Sequence, residues 1–536
     1  MGGEINIHSI RALERQINEG NGDVIELKRT RNSLLNISTC TPPEVLGRIF
    51  VWSLLRPVWH PTQCQDFAGL QKGSYNFLLV CHRWFEVASR TPELWGFWGN
   101  TLQDWKKRYQ RSRAATPLDL VLYGNASDPA ILFDEPLQDA LRSRVVLDTI
   151  RQAHLMSHDC RILTSIISSL TPDDKSGRNE SIESIILGSG GFTSVDASNF
   201  FARSHLSRLC LLNLTGRIRI SSWDHLPSRT TLLTVLSLKI RTSPPPPTIT
   251  PSQLFSILAK NPNLEELTLS DVALPNFTDT STLKVPLRSL KRLSLAGKFR
   301  QLFGLLNRLI LPETLDMIDL TGGGSTAEDV SQTLAPYMRE HFQRDPKFQN
   351  LLEVAFSSFP GSISISVNVV TALDPPHTAF NVHPTDGFPP DVREQLFIDL
   401  FESIPQERVA FLNADLDLKL SEELFIMMPN IAILTLSGVE LYEGFLQPNP
   451  NGPYADEKLL PSLEVLCLED VFPVNGDWSP LTTYLVHQTM DNQTVSLEMV
   501  SDFPYMRPEV VNEIEDLVEA FHLREGVRME DEQRLG

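Results

Sequence analysis

The feature that most limits how this 536-residue chain can fold is a leucine pattern, L-x-x-L-x-L, that recurs along it. The central residue of the unit falls at positions 185, 209, 236, 267, 293 and 318, and the unit returns around 434 and 466. The last two apolar residues of a unit alternate with polar ones, so an extended strand points both to one face. Because one unit cannot bury that face alone, neighbouring units must stack. We therefore predict an α/β fold of parallel strands that are joined by helices and loops.

The first six units follow one another in steps of 24 to 31 residues. All eight are Ile182–Leu187, Leu206–Leu211, Leu233–Leu238, Leu264–Leu269, Leu290–Leu295, Leu315–Leu320, Ile431–Leu436 and Leu463–Leu468. This period is similar to that of a leucine-rich repeat. In that family an Asn stands three residues after the last leucine, where this chain has Leu214, Val272, Val439 or Val471. The resemblance implies an irregular solenoid over residues 116–505 without a buried Asn ladder; an ordinary α/β sheet is the alternative.

The region that fits the repeat least is 323–430. Residues 358–374 alternate apolar and polar side chains and predict a long strand. Residues 374–390 are rich in proline and predict a loop, and 409–418 resemble a degenerate repeat.

The end of the chain has the pattern of an amphipathic helix from Pro508 to Glu525, within a segment taken as 506–525. Its apolar positions are Val511, Ile514, Leu517, Val518 and Phe521. We predict that this helix caps the open end of the array, because a terminal repeat needs a polar outer face. Residues 526–536 are predicted to be disordered.

A different pattern precedes the repeats, between Thr39 and Trp98. Thr41-Pro42-Pro43-Glu44 predicts a capping box, with Thr41 as the cap and Pro42 as the first helical residue. The apolar side of the helix that follows would carry Val45, Leu46, Ile49 and Phe50. A second helix from about Asn76 would align Phe77, Cys81, Trp84, Phe85 and Ala88. Thr91-Pro92 predicts a third helix start, anchored by Leu94, Trp95 and Trp98.

This stretch resembles an F-box, of the F-box-like variety frequent in fungal proteins. The matching residues are Pro42, Glu44, Leu46, Ile49, Phe50, Val80, Cys81, Trp84, Val87, Ala88, Thr91, Pro92, Leu94 and Trp95. The family's leading Leu is Thr41 here, and the loop between the first two helices is longer. The resemblance implies an all-α module over residues 38–115 that docks on the Skp-type adaptor of a cullin–RING ubiquitin ligase. The docking residues it implies are Pro42, Glu44, Leu46, Ile49, Phe50, Val80 and Trp84.

The segment 1–37 carries an interrupted heptad pattern. Its a and d positions are Ile10, Ile17, Val24, Leu13, Leu27 and Leu34. Gly20 occupies another d position, and the Gly-Asn-Gly-Asp run at 20–23 would loosen a helix there. The pattern is compatible with a short dimerising coiled coil, or with two helical segments that fold back on their own chain.

Strand positions between the buried leucines would line the inner surface of the repeat body and contact a target protein. They include Glu266, Thr268, Arg292, Ser294, Ile433 and Thr435. On the F-box reading, the chain is the substrate-recognition adaptor of an SCF-type ligase, and other subunits supply the catalysis. A protein-interaction scaffold without a ligase role is the main alternative, and an enzyme within 323–430 is a third.

Composition argues against several other classes of function. The net charge of −19 does not suit a general nucleic-acid binder. The six cysteines are scattered without a C-x-x-C pair, which indicates reduced thiols in the cytoplasm or nucleus. No run approaches the apolar length of a membrane span, and no secretory signal is evident. Gly188–Gly191 lacks the Lys-Ser/Thr of a P-loop, and we predict no cofactor, although His154 and His158 have the helical spacing of zinc ligands.

Overall fold

The structure is a computed structural model. It describes residues 12, 15–17, 27–28, 30, 41–55, 82–98, 110–112, 117–124, 139–141, 143–172, 179–191, 193–226, 230–240, 249–270, 284–313, 315–323, 327–359, 362–370, 377–385, 390–415, 422–438, 440–441, 446, 459–470, 472–473, 476–490, 494–501 and 506–525. Within these residues, no helix has both the length and the apolar character needed to cross a membrane. The few described residues before 41 are helical, and most of the predicted heptad and the predicted tail lie outside the described residues.

The protein combines helices and strands in alternation. The helices are α1 Pro43–Leu55, α2 His82–Arg90, α3 Pro92–Trp95, α4 Arg144–Leu147, α5 Cys160–Leu170, α6 Ser198–Arg203, α7 Pro251–Lys260, α8 Phe299–Leu306, α9 Ala327–Arg344, α10 Pro390–Phe401, α11 Glu422–Met427, α12 Ser479–Met490 and α13 Pro508–Glu515. Short 3-10 turns occur at Pro346–Gln349 and Gln406–Arg408.

The strands are mostly short and parallel. They are β1 Phe97–Trp98, β2 Leu118–Gly124, β3 Ile150–Ser157, β4 Ser184–Ser189, β5 Val195–Asp196, β6 Leu211–Gly216, β7 Ile218–Arg219, β8 Val235–Ile240, β9 Glu266–Ser270, β10 Val285–Pro286, β11 Arg292–Lys298, β12 Leu309–Ile310, β13 Met317–Gly323, β14 Leu352–Phe359, β15 Ser362–Val369, β16 His377–Pro384, β17 Val409–Asp415, β18 Ile433–Ser437, β19 Glu440–Leu441, β20 Val465–Glu469, β21 Phe472–Pro473, β22 Ser496–Ser501 and β23 Phe521–Glu525.

The chain divides into two compact units. The first contains Met1–Leu264 with Asp271–Ala273, and the second contains Glu265–Ser270 with Leu274–Gly536. In the first unit, strands β1, β2, β3, β4, β6 and β8 pair in that order and all run parallel. A capping box at Thr250 begins α7, which lies between β8 and β9 in the chain, so a helix separates these two strands as the repeat pattern predicts.

The sheet of the second unit is also built of parallel strands, with one antiparallel exception. Its strand order is β9, β11, β13, β16, β15, β14, β17, β18, β20, β22 and β23. Strand β15 is antiparallel to both of its neighbours, and the other pairs are parallel. After β13 the chain therefore crosses two strand positions of the sheet before it forms β14. Strands β15 and β16 then occupy these two positions between β14 and β13.

The leucine units form the buried face of both sheets. Leu267, Leu293 and Ile318 are direct partners across three neighbouring strands, as are the last leucines of these units. All of these side chains are buried. The degenerate repeat predicted near 409 is also a strand, and its Leu412 pairs with Leu434 of β18. The prediction of parallel strands stacked through these units is confirmed for the described residues.

The register predicted for the second leucine repeat, Leu206–Leu211, is wrong by three residues. Leu212, rather than Leu209, pairs with Ile185 of β4 and with Leu236 of β8. The unit is therefore Leu209-x-x-Leu212-x-Leu214, and Leu214 is its last leucine rather than a replacement for the family's Asn. Leucines at 206, 209 and 212 are all buried, so spacing alone could be fitted in either register.

Strands β3 and β16 also differ from prediction. Strand β3 was missed, because its central core residue is Ala153, which pairs with Ile185 and hardly contributes to an apolar pattern. The predicted loop 374–390 contains β16, which pairs with β13 and β15. Prolines flank this strand, and they conceal its apolar alternation at Phe380 and Val382.

The predicted C-terminal helix is wrong beyond Glu515. Helix α13 ends there, and Phe521–Glu525 form β23, which pairs parallel with β22. Phe521 and Leu523 continue the rows of Leu497 and Met499 across the sheet. The last described element therefore extends the sheet, instead of covering its end as a helix.

Gly322 shows how closely the helices approach the sheet. It lies on the core face of β13, two positions after Leu320, and the ring of Phe299 at the start of α8 packs over it. A Cβ atom at 322 would lie 2.5 Å from that ring. Its partner across the strand pair, Gly297, would bring a Cβ no closer than 3.5 Å to a leucine methyl group.

We expect Gly322→Ala to lower the free energy of unfolding by about 1–3 kcal/mol, because the buried ring has to move. Gly297→Ala is the matched control and should be neutral or slightly stabilising, since Ala suits a strand better than Gly does. Urea denaturation of both variants measures the difference. Equal effects would show that the approach of Phe299 does not limit position 322.

Candidate functional site

The helices α1, α2 and α3 enclose a small core of their own. Its buried members are Leu46, Phe50, Val87, Ala88, Leu94 and Trp95. The rings of Phe50 and Trp84 lie 5.0 Å apart, and Trp84 is partly buried against the same cluster. The indole Nε1 of Trp95 donates to the carbonyl oxygen of Ala88 at 3.0 Å. The residues that resemble the F-box pattern thus include most of this core.

Hydrogen bonds hold the three helices together at their ends. Thr91 begins α3, and its hydroxyl donates back to Val87 O at 2.8 Å. Gly47 of α1 packs against this threonine, because a Cβ there would lie 2.8 Å from the Thr91 hydroxyl oxygen. Arg83 of α2 donates to Thr41 O at 2.8 Å and so ties α2 to the start of α1.

Helix α1 begins one residue later than the capping box predicts. Leu46 N donates to Pro42 O at 3.0 Å, so Pro42 is the N-cap and Pro43 is the first helical residue. The prediction of Pro42 as the first helical residue is therefore wrong. Pro43 suits that position equally well, because the first helical residue needs no amide hydrogen.

The helices are joined directly to the first sheet. Trp98 of β1 pairs with Leu120 of β2 and is buried, and its indole Nε1 donates to Trp95 O at 3.1 Å. Beside this pair, Asp119 forms two hydrogen bonds with Arg151, at 3.1 and 2.7 Å. Burial raises the pKa of Asp119, and the hydrogen bonds from Arg151 offset part of that increase. Strand β1 therefore anchors α3 to the strands that follow.

The residues predicted to bind the adaptor separate into two groups. Pro42, Glu44 and Ile49 are exposed. Leu46, Phe50 and Trp84 are buried or partly buried, so within this chain they hold the helices together. Val80 lies outside the described residues. Val45 was not predicted as a site residue, although its side chain is 48% exposed, close to the 52% of Ile49.

The residues predicted to bind a target lie on the second unit's sheet, on the face opposite the leucines. Glu266 pairs with Arg292, and Thr268 pairs with Ser294. Ile433 and Thr435 occupy the corresponding positions of β18. On β9, β18 and β20, partly exposed residues alternate with buried ones, so this face is accessible while the leucine face is not.

Side-chain hydrogen bonds cross this face from strand to strand. Ser294 donates to Asp319 at 2.9 Å, and Asn381 donates to the other carboxylate oxygen at 3.1 Å. Asn381 in turn accepts a hydrogen bond from Ser366 at 3.0 Å. These contacts link β11, β13, β16 and β15. Of the residues that form them, only Ser294 was predicted to be a site residue. Asn381 was missed because the segment around it was predicted to be a loop.

The equivalent face of the first unit is closed in its middle. Gln152, His154, Ser184, Asn213 and Ser237 are polar residues that alternate with its core positions, and all of them are buried. The middle of this face is therefore not accessible to a partner, although Lys239 of β8 on the same face is exposed. The half-exposed face of the second unit is the candidate target surface.

His154 does not have the geometry of a zinc ligand. It lies on β3 rather than on a helix, and its Nε2 is 2.9 Å from the hydroxyl oxygen of Ser184. The part of the chain that the structure describes contains no group of three residues suited to hold a metal ion. Burial lowers the pKa of His154 to about 4. The histidine is therefore a neutral residue of the closed face.

Comparisons with known proteins provide no further assignment, because the chain matches no protein-family model, no curated protein and no solved structure. The two candidate surfaces are therefore the exposed residues at the start of α1 and the half-exposed sheet face of the second unit.

We expect stability to fall as the pH drops from about 6.5 to about 4, because the unfolded chain protonates His154 in this range while the folded protein does not. The free energy of unfolding should fall by about 3 kcal/mol in total through this effect. His154→Leu should make the decline shallower in urea denaturation at several pH values. His205 is exposed in the same unit, and His205→Gln is the control for the loss of one imidazole. Parallel curves for His154→Leu and the parent would contradict the assignment.

Proposed function

We propose that this chain is the substrate-recognition adaptor of an SCF-type cullin–RING ubiquitin ligase. Helices α1 to α3 would act as an F-box-like module that docks on the Skp-type adaptor, and the sheet of leucine units would act as a leucine-rich-repeat body that binds a target. The observation that supports this most is an exposed apolar line on α1. Val45 and Ile49 are spaced by four residues, so they lie along one side of that helix, and the exposed Pro42 is its N-cap.

This apolar line suits a partner because its support is rigid. Leu46 and Phe50 alternate with the exposed positions and bury the other side of α1 against α2 and α3. A docked helix could then cover Val45 and Ile49 without any rearrangement of the core. Interfaces of this kind derive most of their affinity from a few apolar anchors. Of the residues implied by the resemblance, Pro42 and Ile49 are the accessible anchors, and Glu44 would lie at the rim.

The role proposed for the rest of the chain is positioning. Strand β1 connects the helices directly to the first sheet, so the module would not move independently of that sheet. The sheets would then bind a target, and the other subunits of the ligase would transfer ubiquitin. In this proposal the chain itself is not an enzyme and needs no cofactor.

A scaffold without a ligase role is the second candidate. The observation in its favour is Thr41, which stands where the family has the leucine that helps to dock the adaptor. The carbonyl oxygen of Thr41 also accepts a hydrogen bond from Arg83, so this residue is engaged within the chain. Retention of the adaptor distinguishes the two candidates.

We expect Ile49→Asp to weaken retention of a Skp-type adaptor by at least about thirtyfold, because an anchor is lost and a charge would enter the interface. Its own stability should change by about 1 kcal/mol or less, since the side chain is largely exposed. Co-purification with the adaptor and biolayer interferometry measure retention and affinity.

Ile310→Asp is the matched control, because Ile310 is 48% exposed and lies far along the chain on β12. This variant should retain the adaptor like the parent. If the parent chain does not retain the adaptor, the ligase proposal is wrong and the scaffold is favoured. Equal retention by the parent and Ile49→Asp would show that α1 is not the docking helix.

A further inference from the structure

The accessible face of the second unit is not uniform in charge. At one end, Arg292 of β11 lies 3.3 Å from Glu266 of β9, and the two charges balance. Beyond β11, carboxylates continue without such partners. They are Asp319 in β13, Glu353 in β14 and Glu469 in β20, and each is partly buried at a position that alternates with core residues.

These three carboxylates have only neutral partners in the described part of the chain. Asp319 accepts from Ser294 at 2.9 Å and from Asn381 at 3.1 Å, Glu353 accepts from Asn368 at 3.2 Å, and Glu469 accepts from Ser437 at 2.9 Å. No described Lys or Arg forms an ion pair with any of them. Their negative charge is therefore not neutralised within the described residues.

Among the described residues, the basic residues of this face lie at its two ends. They are Arg292 and Lys298 on β11, and His522 and Arg524 on β23 by their register with β22. Between these ends lie eight neighbouring strands, in the order β13, β16, β15, β14, β17, β18, β20 and β22. Among the described residues that point this way on the eight strands, none is Lys or Arg, and His383 is the one histidine. A surface with several carboxylates and no Lys or Arg on its own strands favours a positively charged partner.

An apolar row lies beside the carboxylates. Phe411 of β17 pairs with Ile433 of β18, which pairs with Val465 of β20. All three are partly exposed, on the face that carries Glu469 at the far end of β20. Three adjacent apolar side chains on the accessible face are suited to cover apolar groups of a partner.

We infer that this face binds a basic segment of a target protein in which Lys or Arg residues are interspersed with apolar side chains. The inference takes the target-binding role of the sheet from the proposed function and adds the chemistry of the target. Seven strand spacings of about 4.8 Å give a length of about 34 Å, which an extended peptide of about ten residues would cover. Carboxylates on this face would repel the phosphates of a nucleic acid.

The first test uses the full chain, without the adaptor, on an array of synthetic peptides of about ten residues, the length that spans the face. One set mixes Lys, Arg, Leu and Ser, a second replaces the basic residues with Asp and Glu, and a third replaces Leu with Ser. We expect the first set to bind best and the acidic set not to bind. Binding should weaken about tenfold or more at high salt, because ionic screening reduces the attraction. Equal binding of the acidic set, or no binding of the first set, would overturn the inference.

The second test uses paired variants and the strongest peptide of the first set. Glu353→Gln/Glu469→Gln should weaken its binding roughly three- to tenfold, and Gln can still accept the hydrogen bonds from Asn368 and Ser437. Glu402→Gln/Glu509→Gln removes the same charge from exposed positions after α10 and in α13, and should leave binding unchanged. Equal effects of the two pairs would contradict the assigned face.

Ile433→Ser separates the apolar contribution from the charge. It should weaken the Leu-containing peptides about tenfold and leave the Leu-free set unchanged. Ile49→Asp should not affect peptide binding. Peptide binding without adaptor retention would support this inference and overturn the ligase proposal, whereas adaptor retention without binding of basic peptides would do the reverse.

Discussion

The lateral contact between core residues of neighbouring strands is the interaction on which the rest of the structure depends. In β9, β11 and β13, two buried side chains of each strand lie directly across the hydrogen-bonded pair from their equivalents, as Leu293 does between Leu267 and Ile318. A shift of one residue would turn the core side chains to the accessible face, so register is strongly determined. Even the antiparallel β15 keeps the rows intact, because Ile365 lies between Phe356 and Val382.

The same rows explain why the N-terminal helices are part of the first unit. Trp98 pairs with Leu120 and so takes a core position at the start of the first sheet. Its indole also contacts the end of α3 through Trp95. The Trp98 side chain therefore links the first sheet to the end of α3. In the proposed function, this connection would tie a docking event at α1 to the first sheet.

Several elements could be predicted because their signal is local. The leucine spacing predicts the parallel strands, and the residues around Leu46, Phe50 and Trp95 predict a compact group of helices. Other elements depend on contacts that are distant in sequence. Ala153 becomes a core residue only beside Ile185, and Phe380 only between β13 and β15. Phe521 fits a helix by its spacing, but in the structure it belongs to a strand that pairs with the edge of β22.

The candidate surfaces also combine features that the sequence determines with features that depend on contacts distant in sequence. By itself the sequence determined that apolar units recur, that Ile49 lies on an amphipathic helix and that Ile433 alternates with leucines, because these follow from backbone periodicity. Only the tertiary structure decided which of these positions remain accessible. It buried Leu46, Phe50 and the polar row around His154, and it aligned Phe411, Ile433 and Val465 beside carboxylates that have no cation. The physical reason is that burial and charge balance depend on neighbours supplied by other strands and helices, which periodicity along one segment does not contain.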